Sequence, residues 1–334
     1  MKHNEGRTTT TPSELRDLYA PVRAELDQVE QVLRQQLSST YPFVDQLAKH
    51  SFRLGGKRLR PALVLLAAKA GGRSLPVHHD LAAMVEMIHT ATLIHDDVLD
   101  EAQLRRHLDT VNARWNNETS VLLGDYLLTR ALCLVATIDD PFAVRTLGEA
   151  ARTMCEGELR QVASRGNYDL TEDEYFSIIA DKTAALTACC CKLGAHFAGA
   201  EAAVCDALTG YGRELGIAFQ IADDVLDLVG DEAQVGKSLG TDLLKQKLTL
   251  PMIRLFAEAG PADRAAMVAA LERTPGDHRE ALRPWLERSD AVAYARQKAA
   301  SFVARACATL DAVPPSAARD ALAGLAGFAA RRQQ

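Results

Sequence analysis

The stretch DLAAMVEMIHTATLIHDDVLDEA, residues 80–102, decides the fold class of this chain. Its apolar residues recur at the three- and four-residue spacing of an α-helix, and they occupy more than one face of that helix. A helix of this kind needs neighbours on several sides, because each apolar face has to be removed from water. The stretch therefore predicts a central helix that is surrounded by other helices.

The same helical period runs through nearly all of the 334 residues, beginning at Ser13 and Glu14, a pair that suits a helix start. Short segments containing Gly and Pro, such as LGGKRLRP and VPPS, separate the periodic stretches, and no long stretch alternates with the period of a β-strand. We therefore predict an all-α protein, with a disordered tail at residues 1–12 and a single large helical bundle at residues 13–334. The bundle should contain roughly ten or more helices.

Composition excludes several classes of function. The net charge of −6 argues against a nucleic-acid backbone as the main partner, because proteins that bind nucleic acid present basic surfaces. No apolar run approaches the roughly 18–20 residues that a membrane span needs, and the first residues lack the apolar centre of a signal peptide. The seven cysteines lack the spacing of a metal finger. We therefore expect a cytoplasmic protein with no transmembrane segment, whose cysteines are buried and reduced.

The pentapeptide DDVLD occurs twice, beginning at Asp96 and at Asp223, and both copies lie in apolar helical stretches. Residues four apart share one face of a helix, so Asp96 pairs with Asp100 and Asp223 with Asp227, while the middle aspartate of each copy points aside. One such motif could be a solvated acidic surface, but two motifs on apolar helices demand compensation of their charge. Each pair can bridge a hard divalent cation, for which Mg²⁺ is the natural choice.

Basic residues surround the two acidic motifs, and few of them have an obvious carboxylate partner along the sequence. Lysine and arginine side chains together with Mg²⁺ suit a diphosphate, a compact anion that a single cation cannot neutralise. Two acidic pairs with two basic groups suggest two diphosphate sites that face each other across a helix-lined cavity. The basic residues concerned are Lys57, Arg58, Arg60, Arg105, Arg106, Lys182, Lys237, Lys245 and Lys247.

These residues, in this order, resemble the trans-prenyl diphosphate synthases, and most of all the long-chain members of that family. The similar segments cover roughly residues 45–255 and comprise GGKRLRP, MIHTATLIHDDVLDEAQLRR, GDYLLTRA, EGELRQ, DKTAAL, FQIADDVLD and GKSLGTDLLKQKLTLP. The resemblance implies an all-helical fold of the isoprenoid synthase type with a central catalytic cavity, assembled as a homodimer. It also implies three Mg²⁺ ions that hold the diphosphate of an allylic substrate between the two aspartate motifs.

The resemblance further implies a role for each matching residue. Metal would be bound by Asp96 and Asp100 on one side of the cavity and by Asp223 and Asp227 on the other. The catalytic residues would be Asp96, Asp100, Asp223 and Lys182. The allylic diphosphate would be held by Arg105, Lys182, Thr183, Gln220 and Lys237, with Lys247 nearby. Isopentenyl diphosphate would be held by Lys57, Arg60, His89 and Arg106.

Two positions depart from the pattern of the family. A glycine often follows the Arg-Arg pair, where this chain has His107. The glycine of a Gly-Lys pair that precedes Thr-Leu-Pro is replaced here by Gln246. Either change could alter the shape of a loop or lower the rate of turnover, but neither removes a metal ligand or a diphosphate-binding cation.

The implied reaction condenses isopentenyl diphosphate with an allylic diphosphate and lengthens the product by five carbons. Product length would depend on how far an apolar tunnel extends from the metal site, along Ala91, Thr92, Ile88 and Met87. Because Ala91 is small and Thr92 is modest in size, the tunnel should be open. We therefore predict an all-trans product of more than twenty carbons, with transient membrane contact during its release.

Three alternatives remain open on the sequence alone. A short-chain synthase would make farnesyl or geranylgeranyl diphosphate from the same substrates. A class I terpene cyclase also uses an aspartate-rich helix, but it normally pairs this helix with an Asn/Ser/Glu motif instead of a second DDxxD and does not consume isopentenyl diphosphate. A non-catalytic partner subunit would keep the fold but show no activity as a purified chain.

Overall fold

Helices dominate the part of the chain that the computed structural model describes, residues 13–53, 56–105, 108–230, 239–272 and 278–331. The first half contains α1 (Ser13–Leu18), α2 (Arg23–Leu37), α3 (Pro42–Arg53), α4 (Leu59–Gly71), α5 (Val77–Leu99), strands β1 (Leu104–Arg105) and β2 (Leu108–Asp109), α6 (Val111–Arg114), α7 (Asn117–Val135) and α8 (Pro141–Ala163). The second half contains α9 (Glu172–Ile179), α10 (Ala185–Phe197), α11 (Ala202–Val229), α12 (Thr241–Leu244), α13 (Leu250–Glu258), α14 (Pro261–Glu272), α15 (His278–Leu286), α16 (Ala291–Thr309) and α17 (Ala317–Arg331). The predicted all-α fold is therefore confirmed.

The central helix predicted from residues 80–102 is α5. It packs against α2, α4, α7 and α10, so it has neighbours on several sides. Leu81, Met84 and Met87 on this helix are completely inaccessible to solvent. Burial of that many apolar side chains along one helix explains why its sequence has no wide polar face.

Helix α11 connects two groups of packed apolar side chains. Its first half contributes Tyr211 and Leu215 to the group around α5, and its second half contributes Ile221 and Val225 to a group formed by α9, α13 and α16. The second DDVLD motif therefore lies on the half of α11 that belongs to the second group. The cavity described below lies beside α11 and α5.

The amphipathic stretch that begins at Ser13 is broken, although its apolar period suggests one long helix. A 3₁₀ turn, Ala20–Val22, separates α1 from α2, and it contains Pro21. Proline has no backbone N–H to donate within a helix, and its ring clashes with the preceding turn. The break allows α1 to pack against α17 while α2 packs against α5.

The cysteines only partly match the expectation that all seven are buried. All of them are free thiols, and Cys189, Cys190 and Cys191 are buried in the core. Cys133 and Cys155, however, are exposed on α7 and α8, and Cys205 and Cys307 are only half-buried, so the expectation holds for three of the seven. None of the described helices combines the length and the apolar character that crossing a bilayer requires.

A short hairpin follows α5 and contains β1 and β2. Leu104 pairs with Asp109, and Arg105 pairs with Leu108, in antiparallel register. The backbone N–H of Thr110 donates to the carbonyl of Gln103 and closes the end of the hairpin at 3.1 Å. The hairpin returns Arg105 towards the end of α5. His107, one of the two departures from the family pattern, lies outside the described residues.

The other departure, Gln246, has a backbone conformation that explains why glycine is common there. Its φ angle is +53°, in the left-handed region that costs a residue with a Cβ atom about 1–2 kcal/mol. The carbonyl of Gln246 accepts a hydrogen bond from Gly166 at 2.9 Å, which ties the segment before Lys247 to the segment after α8. The glutamine therefore does not abolish the turn but stores strain in it.

We predict that Gln246→Gly raises the free energy of unfolding by up to about 1 kcal/mol, because glycine adopts this φ angle without a steric penalty. The measurement is the midpoint of urea unfolding, monitored by circular dichroism. Gln246→Ala is the matched control, because it removes the same side chain but keeps the Cβ atom and should give no gain. Equal gains in both variants would show that the side chain, and not the backbone angle, is responsible.

Candidate active site

Both acidic motifs reach one large cavity of about 1230 Å³, which lies beside α4, α5, α8, α11 and α17. Asp96 of α5 and Asp223 of α11 belong to its wall. The structure therefore brings residues that are 127 positions apart to a common space with room for a ligand. The predicted site residues that line the cavity are Lys57, Arg60, Ile88, His89, Ala91, Thr92, Asp96, Arg105, Lys182, Thr183, Gln220 and Asp223.

Two of the predicted metal ligands do not line the cavity. The Asp100 carboxylate accepts a hydrogen bond from Lys247 Nζ at 2.9 Å. The buried Asp227 carboxylate accepts from the Thr241 hydroxyl and from the Asp242 backbone N–H, both at 3.1 Å. The expectation that Asp227 aims with Asp223 into the same space is therefore not met. Because α11 ends two residues later, Asp227 lies close to the end of the helix, and its contacts hold the start of α12.

Four further predicted site residues are absent from the cavity lining: two of them lie elsewhere in the structure, and two lie outside the described residues. Met87 packs in the core around α5, and the structure does not place this predicted tunnel residue on the cavity wall. Neighbouring residues point about 100° apart on a helix, so Met87 faces away while Ile88 faces the cavity. Lys247 lies outside the cavity lining but contacts Asp100, at the end of the first motif. Arg106 and Lys237 lie outside the described residues.

The carboxylate of Asp96 is half-buried at the wall of the cavity. Its pKa is raised from 3.8 to about 6, mainly by burial and also by the negative charges of Glu158 and Asp100, although Lys182 and Arg105 lower it. A buried carboxylate whose ionisation remains unfavourable is not fully compensated by the protein's own cations. Its surroundings therefore suit an additional cation.

The donor set agrees with a hard divalent cation. Carboxylate oxygens are the ligands that Mg²⁺ prefers, and Mg²⁺ commonly takes only one or two of them together with water and phosphate oxygens. Within the described ranges, no three His, Cys, Asp or Glu side chains are grouped closely enough to hold a metal by themselves. The residues present therefore fit a metal that is shared with an anionic ligand better than a metal held by protein alone.

Asp97, the middle aspartate of the first motif, fixes the position of Arg105. Its carboxylate accepts from Arg105 Nη2 at 2.7 Å and from Nε at 3.0 Å, a paired geometry that holds the guanidinium plane in one orientation. Asp97 is buried, whereas Arg105 lines the cavity. Asp97 therefore contributes to the site indirectly, which the sequence pattern alone did not indicate.

Lys182 and Thr183 lie in a π-helical turn, Ala180–Ala184, between α9 and α10. Turns of this type insert an extra residue and are frequent at functional sites. Gly157 of α8 packs against the turn so closely that a Cβ atom there would lie 2.5 Å from the backbone nitrogen of Lys182. The absence of a side chain at Gly157 therefore allows the turn to bring both side chains to the cavity.

Several cations have carboxylate partners that the sequence did not indicate. Lys182 Nζ lies 2.5 Å from Glu158 of α8 and 2.6 Å from the amide oxygen of Gln161. Arg58 donates to Glu30 at 2.6 Å and to Glu86 at 2.8 Å. The expectation of few partners was therefore wrong, because the partners come from other helices. The EGELRQ segment, which contains Glu158, was the one feature of the sequence that pointed to this partner.

Arg60, at the start of α4, is different. Its Nε atom is buried and has no hydrogen-bond acceptor in the described part of the chain. Burial lowers the pKa of this guanidinium, and the nearby carboxylates of Glu86 and Asp223 offset only part of the effect. A buried donor without an acceptor is costly unless a ligand supplies one. The position of Arg60 on the cavity wall therefore suits an anion.

The apolar part of the cavity lies between α5, α7 and α8. Ile88, Ala91 and Thr92 form the α5 side, as predicted. The opposite side consists of residues of α7 and α8 that sequence reasoning missed, because the similar segments on these helices were not assigned to the cavity wall: Leu128, Ala151, Met154, Cys155 and Leu159. Leu159 is 69% exposed, so this part of the cavity extends to the protein surface. An elongated apolar ligand therefore fits this space.

Comparison with known proteins adds four findings. The family model described as polyprenyl synthetase matches residues 41–285. Octaprenyl diphosphate synthase of Escherichia coli (strain K12) is 37% identical over 309 residues, which cover 92% of this chain and 95% of that protein. A decaprenyl diphosphate synthase structure from Rhodobacter capsulatus has a TM-score of 0.90 and 36% identity, covering 96% of this chain and 99% of that one. A Caulobacter crescentus CB15 polyprenyl synthase, complexed with calcium and isoprenyl diphosphate, has the same TM-score and identity over 98% and 100% of the two chains.

We predict that Asp96→Asn stabilises the chain above pH 6 when divalent metal is absent. The raised pKa means that ionised Asp96 costs folding free energy wherever the unfolded state is ionised. The cost is absent below about pH 4, grows as the pH rises to about 6 and is complete above that, at about 1–3 kcal/mol. Urea unfolding in EDTA at pH 4.5 and 7.5 tests this.

The exposed aspartate Asp206 on α11 provides the matched control, because water already solvates it and Asp206→Asn should change stability little. The prediction requires that the gain from Asp96→Asn shrinks as the pH is lowered from 7.5 to 4.5. A gain that is equal at both values, or a loss at pH 7.5, would contradict the role of burial.

Proposed function

This chain belongs to the polyprenyl synthetase family, and we propose that it is a prenyltransferase that makes a long-chain all-trans polyprenyl diphosphate. Its substrates are isopentenyl diphosphate and an allylic diphosphate, and the product has more than twenty carbons. The observation that carries the proposal is that Asp96 and Asp223, from two different helices, line one cavity together with a set of basic side chains. Such an arrangement suits diphosphates that bind with a divalent metal.

The basic residues fall into two groups that we assign to the two substrates. The allylic diphosphate is proposed to contact Arg105, Lys182, Thr183 and Gln220, with Lys247 nearby and with Lys237 from outside the described residues. Isopentenyl diphosphate is proposed to contact Lys57, Arg60 and His89, together with Arg106 from outside the described residues. The buried and unsatisfied Nε atom of Arg60 supports the second assignment.

We propose Mg²⁺ as the metal, with three ions per site, held by Asp96, Asp100 and Asp223 together with diphosphate oxygens. Bound Mg²⁺ would supply positive charge that stabilises the departing diphosphate. Asp100 would exchange its contact with Lys247 for a metal, whereas Asp227 is retained as a ligand only if its contacts with Thr241 and Asp242 open. Calcium in the Caulobacter crescentus structure supports a divalent ion at this kind of site.

The chain's own residues position the reactants and exclude water. The C–O bond of the allylic substrate breaks, and its electron pair leaves with the diphosphate that Arg105 and Lys182 bind. The double bond of isopentenyl diphosphate supplies the electrons of the new C–C bond, and the proton that is lost passes to the released diphosphate. Apolar walls such as Ile88 and Leu128 keep water from the allylic cation.

The product length follows from the apolar part of the cavity. Ala91 leaves space beside α5, and the wall continues through Met154 and Leu159 of α8 to the surface. No aromatic side chain at Ala91 or Thr92 closes this path. An open path suits a growing chain of more than twenty carbons. We further propose a homodimer in the cytoplasm that contacts a membrane transiently when the apolar product leaves.

One experiment tests the proposed function. The purified chain is incubated with Mg²⁺, isopentenyl diphosphate and each of several allylic diphosphates, and the dephosphorylated products are sized by mass spectrometry. We expect products longer than twenty carbons, and we expect Asp96→Ala and Asp223→Ala to remain folded but to lose turnover. Products of fifteen or twenty carbons would favour a short-chain synthase, and hydrocarbon without consumption of isopentenyl diphosphate would favour a cyclase. No turnover would favour a non-catalytic subunit.

We predict that Ala91→Phe shortens the longest product, because the ring fills the space beside α5 that the growing chain needs. The product distribution of the variant is compared with that of the wild type under the same conditions. Leu132→Phe, at an exposed position on α7, is the control for the aromatic substitution and should leave the distribution unchanged. If the longest product of Ala91→Phe equals that of the wild type, Ala91 does not line the path of the chain.

A further inference from the structure

We propose that Tyr175 is a positioning residue for the allylic diphosphate site, and that it acts through Asp224 on Gln220 and Thr183. The inference rests on the proposed function, because it adds a residue to a site that the proposed function defines. Tyr175 lies on α9, carries no recognised motif and does not line the cavity. Its contacts nevertheless lead to the cavity wall in three hydrogen bonds.

The first contact is buried. The side chain of Tyr175 is only 3% exposed, and its hydroxyl donates to Asp224 Oδ2 at 2.6 Å. Tyr175 therefore joins α9 to α11, with Asp224 as the acceptor that orients its hydroxyl.

The second contact determines the orientation of an amide group. Asp224 Oδ1 lies 2.7 Å from the Nε2 atom of Gln220. Asp224 accepts from both Tyr175 and Gln220, so Gln220 presents its NH₂ group to Asp224 and its oxygen to the other side. That oxygen accepts from the Thr183 hydroxyl at 2.8 Å. The hydrogen bonds therefore converge on Asp224: Tyr175 and Gln220 both donate to its carboxylate, and Thr183 donates to Gln220.

This series of hydrogen bonds matters for ligand binding because one of its ends reaches the cavity wall. Gln220 and Thr183 line the cavity, whereas Asp224 and Tyr175 are behind the wall. The NH₂ group of Gln220 has a second hydrogen, which can serve an anion only while the first is held by Asp224. Loss of the phenol would leave Asp224 Oδ2 without this donor in a buried place, and the carboxylate could then turn and release the amide.

The middle aspartate of the second motif thereby gains a function. Asp224 does not line the cavity, and its two oxygens are engaged with Tyr175 and Gln220 in a buried position. It corresponds to Asp97 in the first motif, which holds Arg105 in the same indirect way. Each middle aspartate therefore orients a neutral or cationic side chain that belongs to the allylic site.

The chain offers a matched control for the loss of a buried phenol. Tyr211 on α11 is completely buried, and its hydroxyl donates to the carbonyl of Leu322 at 2.6 Å. Its bond is as short as that of Tyr175, but its acceptor lies on α17 and not at the allylic site. Tyr211→Phe therefore reports the general cost of removing a buried hydroxyl.

The experiment compares Tyr175→Phe and Tyr211→Phe in thermal stability, in steady-state kinetics with each substrate varied, and in calorimetric binding of a non-hydrolysable allylic thiolodiphosphate with Mg²⁺. We expect Tyr175→Phe to weaken binding of the allylic analogue and to lower its kcat/KM roughly three- to tenfold, the effect of one hydrogen bond. The KM for isopentenyl diphosphate should stay within about twofold. Tyr211→Phe should lower stability but leave both substrates unaffected.

A double-mutant cycle tests whether Tyr175 acts through the amide. In a Gln220→Ala background, Tyr175→Phe should no longer change binding of the allylic analogue by more than about twofold, because the group it orients is absent. A full effect in that background would overturn the proposed route. An unchanged allylic affinity in the single variant, or equal losses for both substrates, would overturn the positioning role itself.

The outcomes separate this inference from the proposed function. If the wild type makes polyprenyl diphosphates but Tyr175→Phe behaves like Tyr211→Phe, the positioning role is wrong and the function stands. If the wild type shows no turnover, the proposed function is wrong, and binding of the analogue still decides whether Tyr175 supports a diphosphate site. If the wild type fails to bind the analogue at all, both are wrong.

Discussion

Aspartates on the apolar helices α5 and α11 are the constraint on which the rest of the structure depends, because a carboxylate removed from bulk water needs compensation. The fold supplies that compensation from elements that are far apart in the chain. A guanidinium, a phenol, an amide, an ammonium group and a backbone N–H all take part. The contacts are Asp97 with Arg105, Asp224 with Tyr175 and Gln220, Asp100 with Lys247, and Asp227 with Thr241 and Asp242. The same packing of distant elements that forms the fold therefore also compensates the charges of the aspartates.

The three aspartates of each motif have different tasks, because successive residues on a helix point in different directions. The first of each motif, Asp96 or Asp223, belongs to the cavity wall. The second is buried and orients a side chain that faces the cavity. The third lies at or near the end of its helix and connects it to residues after the second motif. The repeated pentapeptide thus supplies residues of the cavity wall, residues that orient the wall side chains from behind, and residues that connect each helix to later segments.

Small residues satisfy a second requirement, which is space. Gly157 permits the close approach of the π-helical turn, so that Lys182 reaches the cavity without a clash. Ala91 leaves room beside α5 for an apolar chain. The left-handed φ angle of Gln246 shows the opposite case, in which a residue with a side chain occupies a position that favours glycine and the turn still forms. The close approach of two backbone segments and the shape of the cavity therefore both require small side chains at particular positions.

The sequence by itself determined the all-α fold, the central position of α5, the two acidic motifs and most of the basic residues that line the cavity. These features depend on helical period and on spacing within one helix, which a sequence displays directly. Only the tertiary structure decided which aspartate of each motif faces the cavity, which carboxylates pair with Lys182 and Arg58, and that Met87 faces away. It also decided that Tyr175 and the α8 residues belong to the site. Contacts between distant helices depend on how those helices pack, and no periodicity within a single segment encodes that arrangement.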